Sequence, residues 1–113
     1  MKLPEKGCQL RIIIGEARRY QGKPLYEWIV LQARSMGVAG ATVFRGMMGY
    51  GANSRIKTSS ILRLSEDLPV IIELVDTREV LEELLDQLDS VLSGGLVTME
   101  ELRIRMYRPP GER

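Results

Sequence analysis

The chain has 113 residues, enough for one hydrophobic core and too few for two ordinary domains, so a single domain spanning 1–113 is expected. Hydrophobic residues at 44% and charged residues at 27% exclude disorder and fibrous repeats, and 16 Lys and Arg against 15 Asp and Glu leave no whole-molecule field to draw in nucleic acid or an anionic membrane. The absence of His removes His general-base, Ser-His-Asp and Cys-His chemistry along with imidazole metal ligation, and the single Cys8 can close neither an internal disulfide nor a CxxC pair.

In chain order, Gln9 to Ile14 (QLRIII) is short, apolar and β-branched and ends at Gly15, which predicts a buried strand. A polar turn follows, and Pro24 stands where a helix start accepts it. Leu25, Trp28, Ile29, Ala33 and Met36 then recur at helical spacing until Gly37. Ala41 to Met48 returns to a strand pattern and runs into a Gly-, Ser- and Asn-rich loop at Gly49 to Ser60. Ser60 to Leu64 is a weaker strand candidate. Leu68 to Val75 is a strong one, with Pro69 placed near its start.

Asp76 is expected to cap a second helix, with Glu79 three residues on. Val80, Leu81, Leu84, Leu85, Leu88, Val91 and Leu92 form that helix's apolar stripe, and Ser93, Gly94 and Gly95 end it. Leu102, Ile104 and Met106 alternate with Arg103, Arg105 and Tyr107, the period of a last strand with one buried face. The order β-α-β-β-α-β predicts a ferredoxin-like α+β fold, with two helices on one face of a four-stranded antiparallel sheet. Pro4 and nearby charges interrupt any leader-like apolar run, and no segment approaches the roughly 20 apolar residues a spanning helix needs, so a cytoplasmic protein is expected.

Gly46, Gly49 and Gly51 would let backbone N–H groups approach a phosphate, with Arg45, Arg55 and Lys57 nearby; the bland alternative is a mobile hairpin with glycines at its strand ends. No helix follows these glycines directly, which argues against a dinucleotide fold. Arg103 and Arg105, alternating on one strand, would sit about 7 Å apart and grip a polyphosphate, or else serve in a salt-bridge ladder. Tyr50 could stack on a base or simply pack. Glu100, Glu101 and the acidic face of the second helix read as solvated surface. Met36, Met47, Met48, Met99 and Met106 lack His or a second Cys beside them and read as core filler, which removes a copper-chaperone role. An RNA-recognition role would need aromatics exposed on the sheet, and the last two strands offer only Tyr107.

The segments I-I-I-G-E (12–16), G-K-P-L-Y (22–26), G-V-A-G-A-T-V-F-R-G (37–46), G-Y-G (49–51), L-S-E-D-L-P-V (64–70) and G-L-V-T-M-E (95–100) together resemble the PII-like signalling proteins, specifically the branch often encoded beside fluoride-exporter genes. The resemblance implies a homotrimer of ferredoxin-like subunits that binds ATP or ADP in inter-subunit clefts, with Mg²⁺ as an optional companion. It further implies that a long loop changes shape and docks on an enzyme or a membrane transporter. Thr42 matches the threonine of the G-x-T-V strand, Gly49 and Gly51 match the glycines around the aromatic at the loop base, and Arg103 and Arg105 match the final-strand arginines that reach phosphates. Three departures stand out, the first being that the distance from Gly40 to the G-Y-G is one residue longer than in PII proteins. Ser93-Gly94-Gly95-Leu96 replaces a turn that carries a lysine in PII proteins, and the loop lacks the tyrosine that is nucleotidylated there. The candidate nucleotide-binding set is Thr42, Arg45, Gly46, Gly49, Tyr50, Gly51, Gly94, Gly95, Arg103 and Arg105, with no catalytic and no metal-binding residues. The rivals are a purely structural or interaction trimer and an acylphosphatase-like hydrolase; for the latter the nearest pair, Arg55 and Asn53, lies in the wrong place.

Overall fold

The computed structural model describes residues 3–52, 56–58 and 67–111. Its elements are β1 (Lys6–Gly15), β2 (Arg19–Tyr20), β3 (Lys23–Pro24), α1 (Leu25–Ser35), β4 (Gly40–Arg45), β5 (Met48–Gly49), β6 (Lys57–Thr58), β7 (Pro69–Asp76), α2 (Arg78–Leu88) and β8 (Leu96–Arg103). The main sheet has the order β4-β7-β1-β8, antiparallel throughout, which with the two helices makes the expected ferredoxin-like α+β fold. The small pairs β2-β3 and β5-β6 lie outside it.

Alternation in the two central strands sorts side chains cleanly. Cys8, Leu10, Ile12 and Ile14 of β1 and Val70, Ile72 and Leu74 of β7 are buried beneath the helices. Leu25, Ile29 and Ala33 from α1 and Leu81, Leu84 and Leu88 from α2 complete that core. Each fully buried Leu or Ile contributes about 1.5–3 kcal/mol relative to exposure, so this layer dominates stability.

The other face carries Arg11 and Ile13 of β1, Ile71, Glu73 and Val75 of β7, Thr42 and Phe44 of β4, and Leu96 and Thr98 of β8, as the register fixes. No helix covers it among the described residues. Arg11 and Glu73 are directly opposed and ion-paired at its centre, Nη2 to Oε2 2.7 Å, and Phe44 and Leu96 remain 46% and 55% exposed.

Several expectations need correction. The last strand is Leu96–Arg103, not 102–107. Gly95 brings the chain in beside Ile13, and the antiparallel register then uses β1 back to Lys6, where Arg103 pairs. Past that point β1 ends. Ile104 N–H still donates to Glu5 O at 2.6 Å, and the tail reaches the far edge of the sheet, where the Tyr107 hydroxyl donates to Ala39 O at 2.7 Å. Arg105 is therefore on this tail rather than on a strand face with Arg103.

The cap of α2 is Thr77, whose Oγ1 accepts from Val80 N–H at 3.4 Å. Asp76 is instead buried, accepting from Thr77 N–H at 2.6 Å and Ala39 N–H at 2.8 Å. The helix ends at Leu88, and Val91 and Leu92 sit in a turn that donates back to Leu88 O. The second strand stops at Arg45, because Gly46 N–H turns to Pro69 O at 2.7 Å. Met36 and Met99 pack on the core, but Met47, Met48 and Met106 are largely exposed and are not filler. The candidate strand at Ser60 to Leu64, like Asn53 and Arg55, lies outside the described residues.

Candidate functional site

A cleft of about 550 Å³ opens at one end of the sheet, where β1 finishes and β7 and β8 begin. Its walls include Gly46, Gly49, Tyr50 and Gly51 from the segment after β4, and Gly95 from the turn before β8. Half of the candidate set is thus gathered in one place by two separate stretches of chain. Ile13, Ile71 and Leu96 form an apolar floor continuous with the uncovered sheet face, and Tyr50 is 72% exposed.

Two close approaches shape this cleft. Gly95 has φ +123, and a Cβ there would stand 2.7 Å from Ile13 O and 3.0 Å from Ile14 Cγ2. Only glycine lets β8 enter its register at this point. Gly15 lies directly under the Asp67 carboxylate, where a Cβ would overlap both oxygens. Asp67 Oδ1 accepts from Ala17 N–H at 2.6 Å, tying the end of β1 to the residues before β7.

The remaining candidates are distributed differently. Gly94 is next to the cleft, its carbonyl accepting from Arg18. Arg45 is at the rim, ion-paired with Glu16, its Nε donating to Oε2 at 2.9 Å. Thr42 is on the uncovered face opposite Glu73. Arg103 and Arg105 are at the other end of the sheet: with about 3.3 Å per strand residue, Gly95 and Arg103 are separated by roughly 25 Å. Arg103 is paired with Glu5, Nε to Oε1 3.0 Å, while Arg105 is exposed and has no bonding partner among the described residues. The two arginines and the glycine cleft are not one site within one chain.

Sequence reasoning missed three participants. Gly15 and Asp67 fall inside the segments 12–16 and 64–70 but were given no role there, and Arg18 belongs to an unremarkable polar turn. Arg18 lines the cleft, with Nη2 donating to Ser93 Oγ at 2.9 Å and Nη1 to Gly94 O at 3.4 Å. The basic pair Arg18-Arg19, placed just after the glycine that ends β1, was the available signal.

Residues 7–104 match the family described as Uncharacterized ACR, COG1993 (DUF190), and the chain belongs to it. A UPF0166 protein of Aquifex aeolicus is 34% identical over 95 residues, covering 84% of this chain and 90% of that protein. A UPF0166 protein of Methanocaldococcus jannaschii is 34% identical over 96 residues, covering 84% and 88%. Among solved structures, CPII of Thiomonas intermedia K12 bound to ADP and bicarbonate superposes with a TM-score of 0.68 at 18% identity, over 91% of this chain and 95% of that one. CPII is described as a nitrogen regulatory PII-like protein. At that identity the likeness establishes the fold. No helix among the described residues is long and apolar enough to cross a membrane.

Proposed function

We propose that this member of the DUF190 family is a PII-like regulatory protein without catalysis of its own. In this reading it binds an adenine nucleotide, ATP or ADP, in clefts between the subunits of a homotrimer, and signals through the segment 49–60 to a target enzyme or membrane transporter in the cytoplasm. The observation that carries the reading is the cleft where Gly46, Gly49, Tyr50, Gly51 and Gly95 meet. Its volume is within the range of ligand pockets. Its glycine walls permit backbone N–H groups to approach phosphate oxygens, and Tyr50 supplies a ring that can stack. The shared fold of CPII, solved with ADP and bicarbonate, supports the same ligand class.

Assembly follows from two features. The uncovered face, with Ile13, Phe44, Ile71, Val75 and Leu96, is apolar surface of the kind that a second copy covers. The separation of Arg103 and Arg105 from the glycine cleft means that one ligand meets both only if the arginines come from a neighbouring copy. Asp67 is the one carboxylate among the described residues lining the cleft, so Mg²⁺ held there would draw its other ligands from phosphate and water. With that carboxylate tied to Ala17 N–H and no His in the chain, the cleft offers binding rather than acid-base chemistry.

The test is calorimetric titration with ATP, ADP, AMP and adenosine, with and without Mg²⁺, alongside hydrogen exchange of 49–60. Saturable binding of ADP or ATP and protection of that segment on binding are expected. Silence with every adenine nucleotide in an intact trimer refutes the reading. It would favour the ligand-free interaction trimer, for which the pairing of Arg45 with Glu16 and of Arg103 with Glu5 already accounts for two candidate arginines.

A further inference from the structure

Resting on the nucleotide reading above, we propose that Arg18 is the anion receptor of the cleft and takes a phosphate group of the ligand on the unused donors of its guanidinium. Its backbone is pinned on both sides: Arg18 N–H donates to Gly15 O at 3.2 Å, and Leu25 N–H donates to Arg18 O at 2.8 Å. The side chain is in turn aimed by Ser93 Oγ and Gly94 O across the start of β8. A guanidinium carries five N–H donors, and these contacts use two. The rest are not taken up by any ion pair among the described residues. The cleft's carboxylate, Asp67, is committed to Ala17 N–H and wedged over Gly15.

Comparison with the other arginines sharpens the point. Arg11, Arg45, Arg78 and Arg103 each have a carboxylate partner. Arg19, Arg34, Arg105 and Arg108 have none among the described residues, but they stand exposed, where water compensates them. Arg18 alone among the described arginines is partly buried, lines this cleft and has no ion-pair partner among the described residues. An entering anion would meet an oriented guanidinium that no carboxylate among the described residues neutralises by direct pairing, and such charge-assisted hydrogen bonds are the strong ones. The planar fork suits two oxygens of one phosphate, and it lies beside Gly94, where a Cβ would meet only Arg18 Nη1, at 3.8 Å.

The experiment titrates ADP, adenosine and inorganic pyrophosphate calorimetrically into wild type, Arg18→Gln, Arg18→Lys and Ser93→Ala. Arg18→Gln should weaken ADP and pyrophosphate at least tenfold and leave adenosine unchanged. Arg18→Lys should recover part of the loss by keeping the charge without the fork, and Ser93→Ala, which removes only the aim, should lose threefold or less. Equal ADP affinity in wild type and Arg18→Gln overturns the assignment. So does a parallel fall for ADP and adenosine, which would make Arg18 a strut of the turn. Pyrophosphate binding that depends on Arg18, in a wild type that ignores adenine nucleotides, supports the anion site while refuting the nucleotide reading. A wild type that binds neither overturns both.

Discussion

Replacing Gly95 by Ala tests whether the start of β8 sets both the register of the edge strand and the wall of the cleft. The new Cβ would stand 2.7 Å from a backbone oxygen, Ile13 O, and 3.0 Å from Ile14 Cγ2, at a backbone φ of +123. Holding a side chain at such a φ costs about 1–3 kcal/mol, and overpacking against a main-chain atom that cannot rotate away costs about 1–3 kcal/mol more. A loss of about 2–6 kcal/mol is therefore expected. Gly94→Ala is the matched control, because its Cβ would meet only Arg18 Nη1, at an ordinary 3.8 Å. That variant should lie within about 1 kcal/mol of wild type, with restriction of the unfolded chain acting in its favour. Urea unfolding at one fixed protein concentration reads both. With a slope of about 1.5 kcal/mol/M, Gly95→Ala should lower the midpoint by roughly 1–4 M, against well under 1 M for Gly94→Ala. Equal midpoints for the two variants would refute the claim that close approach at Gly95 sets the strand.

Other consequences are simpler to check. Thr77→Ala should cost about 0.5–1 kcal/mol in the same assay, the low end for a cap, because the Oγ1 bond to Val80 N–H is long at 3.4 Å; an unchanged midpoint would leave Asp76 and the helix itself to hold that end. Phe44→Asp places a charge on the uncovered apolar face, so if the proposed trimer forms through that face, light scattering should report monomers for the variant and trimers for wild type while far-UV circular dichroism keeps the α+β signature. A trimer that survives this change would mean that the sheet face is not the contact.

The central elements were legible because their pattern needed no partner to interpret it. Ile12, Ile14, Ile72 and Leu74 alternate inward whichever strand lies beside them, and Leu81, Leu84 and Leu88 trace a helical stripe on their own. The last strand was misplaced for the opposite reason. Leu102, Ile104 and Met106 have strand periodicity, but an edge strand exists only where its neighbour offers a ladder, and β1 offers one back to Lys6 and no further. The cap moved by one residue because the Asp76 carboxylate is drawn inward by Ala39 N–H, leaving the hydroxyl of Thr77 to serve the helix. The cleft was half legible. Glycines advertise close approach locally, but Asp67 over Ala17 and Arg18 against Ser93 join residues 50 and 75 positions apart, and nothing local marks either pairing.

The separation of the glycine cleft from Arg103 and Arg105 carries a thermodynamic consequence. If a bound nucleotide touches both, each ligand bridges two copies, and ligand affinity and assembly become linked. A ligand that binds only the assembled form adds about 2.7 kcal/mol per site at a hundredfold excess over its Kd, close to 100-fold for each of three sites. Together these shift the dissociation constant of a trimer by about a millionfold, and the concentration at half assembly, which follows its square root, by about a thousandfold. Dilution monitored by light scattering or single-particle mass measurement, with saturating ADP and without, should show the half-assembly point falling steeply. If ADP binds and the dilution curve does not move, the ligand is held within one chain. In that case Arg18 and the glycines constitute the whole site, and Arg103 keeps only its pairing with Glu5.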